Sequence, residues 1–163
     1  MPSTDVVASL GQTLIAAGTG ALIANFIAEL VKGLVRKSQA LEAARDEDLS
    51  TLLKIVEEMQ DLATEYWTAT GVELGAREPV LRAKIVARQQ LALELIAHLF
   101  KENAKRDCDV MFTKIMDVVG GDEFGEPDRA ASPERLAAVY QYGMSFLHLA
   151  KKSRRGLKRG LLA

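Results

Sequence analysis

Residues 48–70 read DLSTLLKIVEEMQDLATEYWTAT, and this stretch decides the fold class of the chain. Its apolar side chains recur at steps of three and four residues, and charged side chains fill the opposite side. Such spacing is typical of an amphipathic helix whose apolar face packs against a core. A glycine, Gly71, follows directly, as often happens where a helix ends. The predicted core-facing positions are Leu49, Leu52, Leu53, Val56, Met59, Ala63, Tyr66 and Trp67.

Three more segments toward the C-terminus show the same helical spacing of apolar residues. We predict helices over about residues 79–105, 107–119 and 133–152. Pro79 and Pro133 suit the first turn of a helix, and Gly120-Gly121 suits the end of one. No stretch alternates apolar and polar residues in the way that strands do. The sequence therefore predicts an all-α fold with a helical bundle over residues 48–152.

The composition is that of a folded domain without a strong charge bias. The chain has 163 residues, of which 48% are apolar and 26% charged, so a single unit with a real core is expected. Its 21 basic and 22 acidic residues give a net charge of −1, which argues against a globally basic nucleic-acid binder. One cysteine, Cys108, rules out an internal disulfide and a cysteine-based zinc cluster.

The N-terminal region contains a long stretch without charge. Val6–Ala28 has 23 residues between Asp5 and Glu29, none of them charged. As a helix it would span about 34 Å, enough for the hydrocarbon core of a bilayer. We predict a transmembrane helix over residues 6–28, followed by a helical extension or linker over 29–47. The alternative is a soluble protein whose apolar first helix is a core or assembly element, because Gln12 and Asn25 dilute the hydropathy.

Small residues in this first helix predict a packing surface. They recur every four positions, so they share one face on which another helix can approach closely. Asn25 lies beside them and offers a hydrogen bond across the contact. A homo-oligomer formed through this helix is the expected result. The predicted helix-packing residues are Ala16, Gly20, Ala24, Asn25 and Ala28.

Basic residues after the apolar stretch set the expected orientation. Lys32, Arg36 and Lys37 follow it, whereas the short segment before it carries only Asp5. By the positive-inside rule the N-terminus lies outside and the bundle in the cytoplasm. We therefore expect a single-pass protein of a bacterial inner membrane, with a cytoplasmic location as the alternative.

The C-terminal segment, residues 153–163, is predicted to be a basic tail. Together with the end of the last helix it carries six cations and interleaved leucines, a composition that suits an anionic membrane surface. Nucleic acid needs the same cations, but no aromatic residue is interleaved to stack on bases, so that partner is disfavoured. A solvated tail is the third interpretation. The cations are Lys151, Lys152, Arg154, Arg155, Lys158 and Arg159.

A pentapeptide in the loop before the last helix matches a known motif. Gly120-Gly121-Asp122-Glu123-Phe124 resembles the signature of diguanylate cyclases, which implies nucleotide chemistry as a remote alternative. In that family the motif lies on a β-hairpin of an α/β domain, whereas a helix precedes it here. The similarity covers five residues. We predict a helix C-cap at the two glycines and an acidic loop, with Phe124 packed back on the bundle.

Other reactive side chains do not form a recognisable site in the sequence. Cys108 between two aspartates is read as a buried residue near a helix start, and His98 is too distant along a helix to complete a metal site. His148 has no recognisable catalytic partners. We predict no catalytic, metal or cofactor site, and a function in scaffolding or signalling through contacts with the lipid bilayer, a second copy and an unidentified protein partner.

Overall fold

The structure, a computed structural model, describes the backbone of residues 4–160 and the side chains of residues 29, 32, 33 and 35–156. In that part the chain is mainly helical and contains no strand, which confirms the predicted all-α class. The helices are α1 (Thr4–Thr68), α2 (Gly71–Leu74), α3 (Glu78–Leu99), α4 (Glu102–Gly120) and α5 (Arg135–Gly160). A short 3-10 turn, Gly75–Arg77, joins α2 to α3.

The first helix is longer than the sequence indicated. The sequence predicts a helical extension or linker over 29–47 and a new helix from about residue 48, but α1 continues through both as one helix. Residues 34–47, LVRKSQALEAARDE, contain neither glycine nor proline and are rich in good helix formers, so nothing breaks the helix there. By its internal contacts the chain divides into two units, Met1–Ala44 and Arg45–Ala163.

The core of the second unit is built from α1, α3, α4 and α5. Of the predicted core positions in residues 48–70, six are fully buried and two, Leu49 and Leu53, are partly buried against them. The apolar period therefore identified the inward face correctly. The fully buried residues among those predicted are Leu52, Val56, Met59, Ala63, Tyr66 and Trp67. Ring contacts between α4 and α5 extend the core, with the Phe112 and Phe146 centroids 5.6 Å apart.

The boundary between α3 and α4 differs from the prediction. A break expected near residue 106 lies instead at Phe100 and Lys101, whose backbones are extended (φ −116°, ψ 152° and φ −129°, ψ 156°). Phe100 is 1% exposed. The extended backbone places this large ring inside the core. The free energy gained by burying an aromatic side chain outweighs the cost of interrupting the helix.

The last helix also continues beyond its predicted end at Lys152. The segment predicted as a basic tail is helical as far as Gly160. Arg154 explains part of the difference, because its side chain is buried and forms an ion pair with Asp46 of α1 at 3.2 Å. This contact ties the additional turns of α5 to the bundle.

Candidate functional site

The pentapeptide loop has a structural role at both of its ends. Gly121 caps α4 with φ +57°, and its N–H donates a hydrogen bond to the carbonyl of Asp117 at 2.9 Å. At the other end the ring of Phe124 packs against Tyr66, with 5.0 Å between centroids. Both features were expected, and both are confirmed. Asp122 and Glu123 are exposed between them.

The loop that follows caps the C-terminal end of α1. The last carbonyls of a helix have no partner within the helix and need one from elsewhere. The Arg129 guanidinium donates hydrogen bonds to the carbonyls of Tyr66 and of Ala69, the latter at 2.8 Å. The backbone N–H of Ser132 donates to the carbonyl of Trp67 at 2.8 Å. The loop thus supplies the hydrogen bonds that end the long helix.

Two aromatic rings at this helix end are enclosed by charged side chains. The Arg129 guanidinium lies 3.9 Å from the centroid of the Tyr66 ring, and that of Arg135 lies 4.5 Å from the Trp67 ring. The Tyr66 hydroxyl donates to the buried Glu78 carboxylate and accepts from the Gly125 N–H, each at 2.9 Å. Burial raises the pKa of Tyr66, and the hydrogen bond to the carboxylate adds to the rise. The hydroxyl therefore stays protonated at neutral pH.

We expect Asp122→Ala and Glu123→Ala to change the stability of the bundle by no more than about 0.5 kcal/mol each, because both side chains are exposed. Phe124→Ala is the contrasting variant, because it removes the ring that packs on Tyr66. Urea unfolding of the three variants measures this difference. A loss of biological activity at unchanged stability in Asp122→Ala or Glu123→Ala would instead support the nucleotide chemistry that the pentapeptide suggests.

A cationic face on α5 is the strongest candidate for a binding surface. His148 is followed by Lys151 and Lys152 three and four positions later, and Arg155 by the same spacing again, so all four share one exposed side of the helix. Together with Gly156 they line an open surface depression of about 420 Å³. Among the side chains that the structure describes, no carboxylate pairs with Lys151, Lys152 or Arg155. We call Lys151, Lys152 and Arg155 the α5 cationic face, and His148 lies beside them; the arrangement suits an anionic ligand.

The six predicted C-terminal cations do not share one environment. Lys151, Lys152 and Arg155 belong to the α5 cationic face. The Arg154 side chain points away from this face and is 3% exposed. Its guanidinium forms the ion pair with Asp46, which stabilises the bundle. A rotation of about 100° per helical residue accounts for this difference between neighbours. The side chains of Lys158 and Arg159 lie outside the described residues.

The predicted sites of the N-terminal unit are only partly described. Lys32, Arg36 and Lys37 are exposed, and Lys32 forms an ion pair with Glu29 at 2.9 Å. The helix-packing residues from Ala16 to Ala28 have side chains outside the described part, so this surface stays a prediction.

The structure describes the surroundings of Cys108 and His98, the two side chains whose types could bind a metal. Cys108 is buried, and burial raises the pKa of its thiol to about 11, which leaves it protonated and unreactive at neutral pH. His98 is exposed, with Nε2 3.5 Å from a carboxylate oxygen of Asp48. Within the described ranges no three potential ligands come together as a metal site.

Arg129 and Glu78 are the residues of this region that the sequence did not reveal. Arg129 stands in a polar loop with no periodicity, and Glu78 lies at the first turn of α3, where an acidic residue is ordinary. In the sequence, neither residue can be distinguished from a charged residue that lies in solvent. Only the fold shows that both are buried.

The comparisons with known proteins give no relative for this chain. No protein-family model matches it, and neither a curated protein nor a solved structure does.

In the part of the chain that the structure describes, no helix combines the length and the apolar character needed to cross a membrane. The side chains of Val6–Ala28 lie outside that part.

Proposed function

We propose that this chain is a single-pass, membrane-anchored helical protein that acts in scaffolding or signalling through protein contacts. In this proposal Val6–Ala28 crosses the inner membrane, the N-terminus lies outside and the bundle lies in the cytoplasm. The anchor concentrates the bundle at the membrane, where it meets its partners. Self-association through the first helix is part of the proposal.

The observation that carries the proposal is the change of charge along α1. The 23 uncharged residues are followed by Lys32, Arg36 and Lys37, and these three side chains are exposed. Exposed lysine and arginine next to an uncharged stretch favour the cytoplasmic side of a membrane, since translocating them is costly.

The α5 cationic face gives a second, independent support. Its lysines and Arg155 have no carboxylate partner among the described side chains, so their charge is available to a ligand. The cytoplasmic leaflet carries anionic headgroups that attract such a surface when it lies within a Debye length. We propose that this face contacts the headgroups.

A wash of cell membranes with alkaline carbonate tests the anchor. We expect the full-length chain to stay in the membrane pellet, because carbonate removes peripheral proteins and leaves inserted helices. The double variant Leu14→Arg/Ile23→Arg should leave the pellet, since two charges in the predicted span make insertion costly. Val72→Arg, at a bundle position that is 77% exposed, is the control and should stay. Release of the unaltered chain would overturn the anchor and favour the soluble alternative.

The released double variant then tests the cationic face in the same experiment. At low salt it should sediment with vesicles that contain anionic lipid, and adding Lys151→Glu, Lys152→Glu and Arg155→Glu should abolish this. The matched control reverses three exposed cations elsewhere, Lys101, Arg106 and Lys114, and should keep most of the binding. If the α5 reversals spare vesicle binding but abolish binding to RNA, the nucleic-acid alternative replaces the membrane contact.

A further inference from the structure

The outward face of α3 is unusually apolar for a helix on the surface of a bundle. A surface helix normally turns polar side chains to the solvent. The inward side of α3 is buried as expected, but large apolar side chains also point outward, where no other part of the described chain covers them. The exposed ones are Val80 (52%), Val86 (39%), Leu91 (42%) and Leu93 (39%).

Part of this face forms a continuous stripe along the helix. Val80, Ala83, Ala87 and Leu91 follow each other at steps of three and four residues, and all four are exposed. We call them the α3 stripe. Its two central residues are alanines, which leave room for a second helix to approach closely. The face therefore combines apolar area with a shape that suits helix-to-helix packing.

Two charged residues flank the stripe in a self-complementary arrangement. Lys84 and Glu94 are exposed, and neither forms an ion pair with any described side chain. They stand five positions before and five positions after residue 89. If a second α3 packs antiparallel about a twofold axis at that level, Lys84 of each copy faces Glu94 of the other. Ala87 of each copy then faces Leu91 of the other.

We propose that the outward face of α3 binds a second copy of this chain in an antiparallel, twofold-symmetric dimer. A twofold contact uses the same patch on both copies, so the patch must complement itself. An axis midway between Lys84 and Glu94 pairs these opposite charges and also pairs Ala87 with Leu91 of the stripe. A parallel pair would place Lys84 against Lys84 and Glu94 against Glu94. This contact is distinct from the association predicted for the first helix and does not depend on insertion into a membrane.

Charge reversal tests the contact in the full-length chain in a non-ionic detergent. The dissociation constant is measured by sedimentation over a dilution series, with Gly20→Ile in every variant to remove association through the first helix. Lys84→Glu or Glu94→Lys alone should weaken the dimer about tenfold or more, because each puts two like-charged pairs across the contact. The double variant Lys84→Glu/Glu94→Lys should restore the affinity to within about threefold, because it recreates both opposite-charge pairs.

The controls separate this contact from loss of folding and from other occupants. Lys101→Glu reverses an exposed lysine outside the face and should leave the dissociation constant unchanged. Leu91→Glu should abolish the dimer, whereas Val110→Glu, at a residue of α4 that is 55% exposed, should not. Thermal unfolding checks that each variant is folded. A chain that is monomeric before any α3 substitution, as expected if another protein occupies the face, would overturn the proposal. So would a double reversal that stays as weak as the single ones.

Discussion

Arg129→Ala is expected to lower the free energy of unfolding of the bundle by about 3 kcal/mol. The side chain is 3% exposed, and its guanidinium donates to the carbonyls of Tyr66 and Ala69. Hydrogen bonds from a charged donor contribute more than neutral ones, and removal of the side chain leaves one buried and one partly buried carbonyl without this donor. The contact with the Tyr66 ring at 3.9 Å is lost as well.

Two further variants sharpen this result. Arg129→Lys keeps the charge, but a single ammonium lacks the planar fork that reaches two carbonyls and stacks on a ring, so most of the loss should remain. Arg77→Ala removes an exposed arginine that pairs with Glu65, and should cost less than about 1 kcal/mol. Urea unfolding followed by the fluorescence of Trp67, the single tryptophan, measures all three. If Arg129→Ala costs no more than Arg77→Ala, the loop does not stabilise the end of α1.

Gly71→Ala is expected to cost about 2 kcal/mol or more, although alanine is ordinarily the better helix former. A Cβ atom at this position would lie 2.4 Å from the carbonyl oxygen of Pro127 and 2.9 Å from its carbon. These are backbone atoms, so the loop itself has to move. The movement strains the hydrogen bond from the Gly71 N–H to the carbonyl of Arg129, which is 3.0 Å long.

The matched control for this variant is Gly120→Ala. A Cβ atom at Gly120 meets nothing within 4 Å, so the substitution should be neutral or stabilising by up to about 1 kcal/mol. Both variants are compared by the midpoint of urea unfolding. Equal midpoints for the two alanine variants would show that the loop has room to adjust and that its close approach at Gly71 is not required for stability.

Periodic features of the fold could be predicted from the sequence, and isolated contacts could not. Leu52, Met59 and Trp67 were assigned to the core because the helical repeat places them on one face, and they are fully buried. Arg129 belongs to no repeat, and its burial depends on a helix end about sixty positions earlier in the chain. Such a pairing leaves no local pattern, so only the folded chain reveals it.

The candidate binding surface could likewise be predicted only in part from the sequence. Lys151, Lys152 and Arg155 were recognised from local charge density, and the structure places them on one exposed face. Arg154 has the same local composition, but the helix rotates it toward Asp46. Charge density alone does not distinguish the two environments, because the direction of a side chain depends on how far α5 continues as a helix. The sequence predicts an end at Lys152, whereas α5 continues to Gly160.

The closure of α1 by a distant loop has a consequence for synthesis on the ribosome. Domains assemble as the chain emerges from its N-terminus, at several residues per second. The end of α1 leaves the ribosome well before Arg129 and Ser132, which supply its terminal hydrogen bonds. During that interval its final carbonyls are satisfied by water. The bundle can therefore be completed only after this loop has emerged from the ribosome.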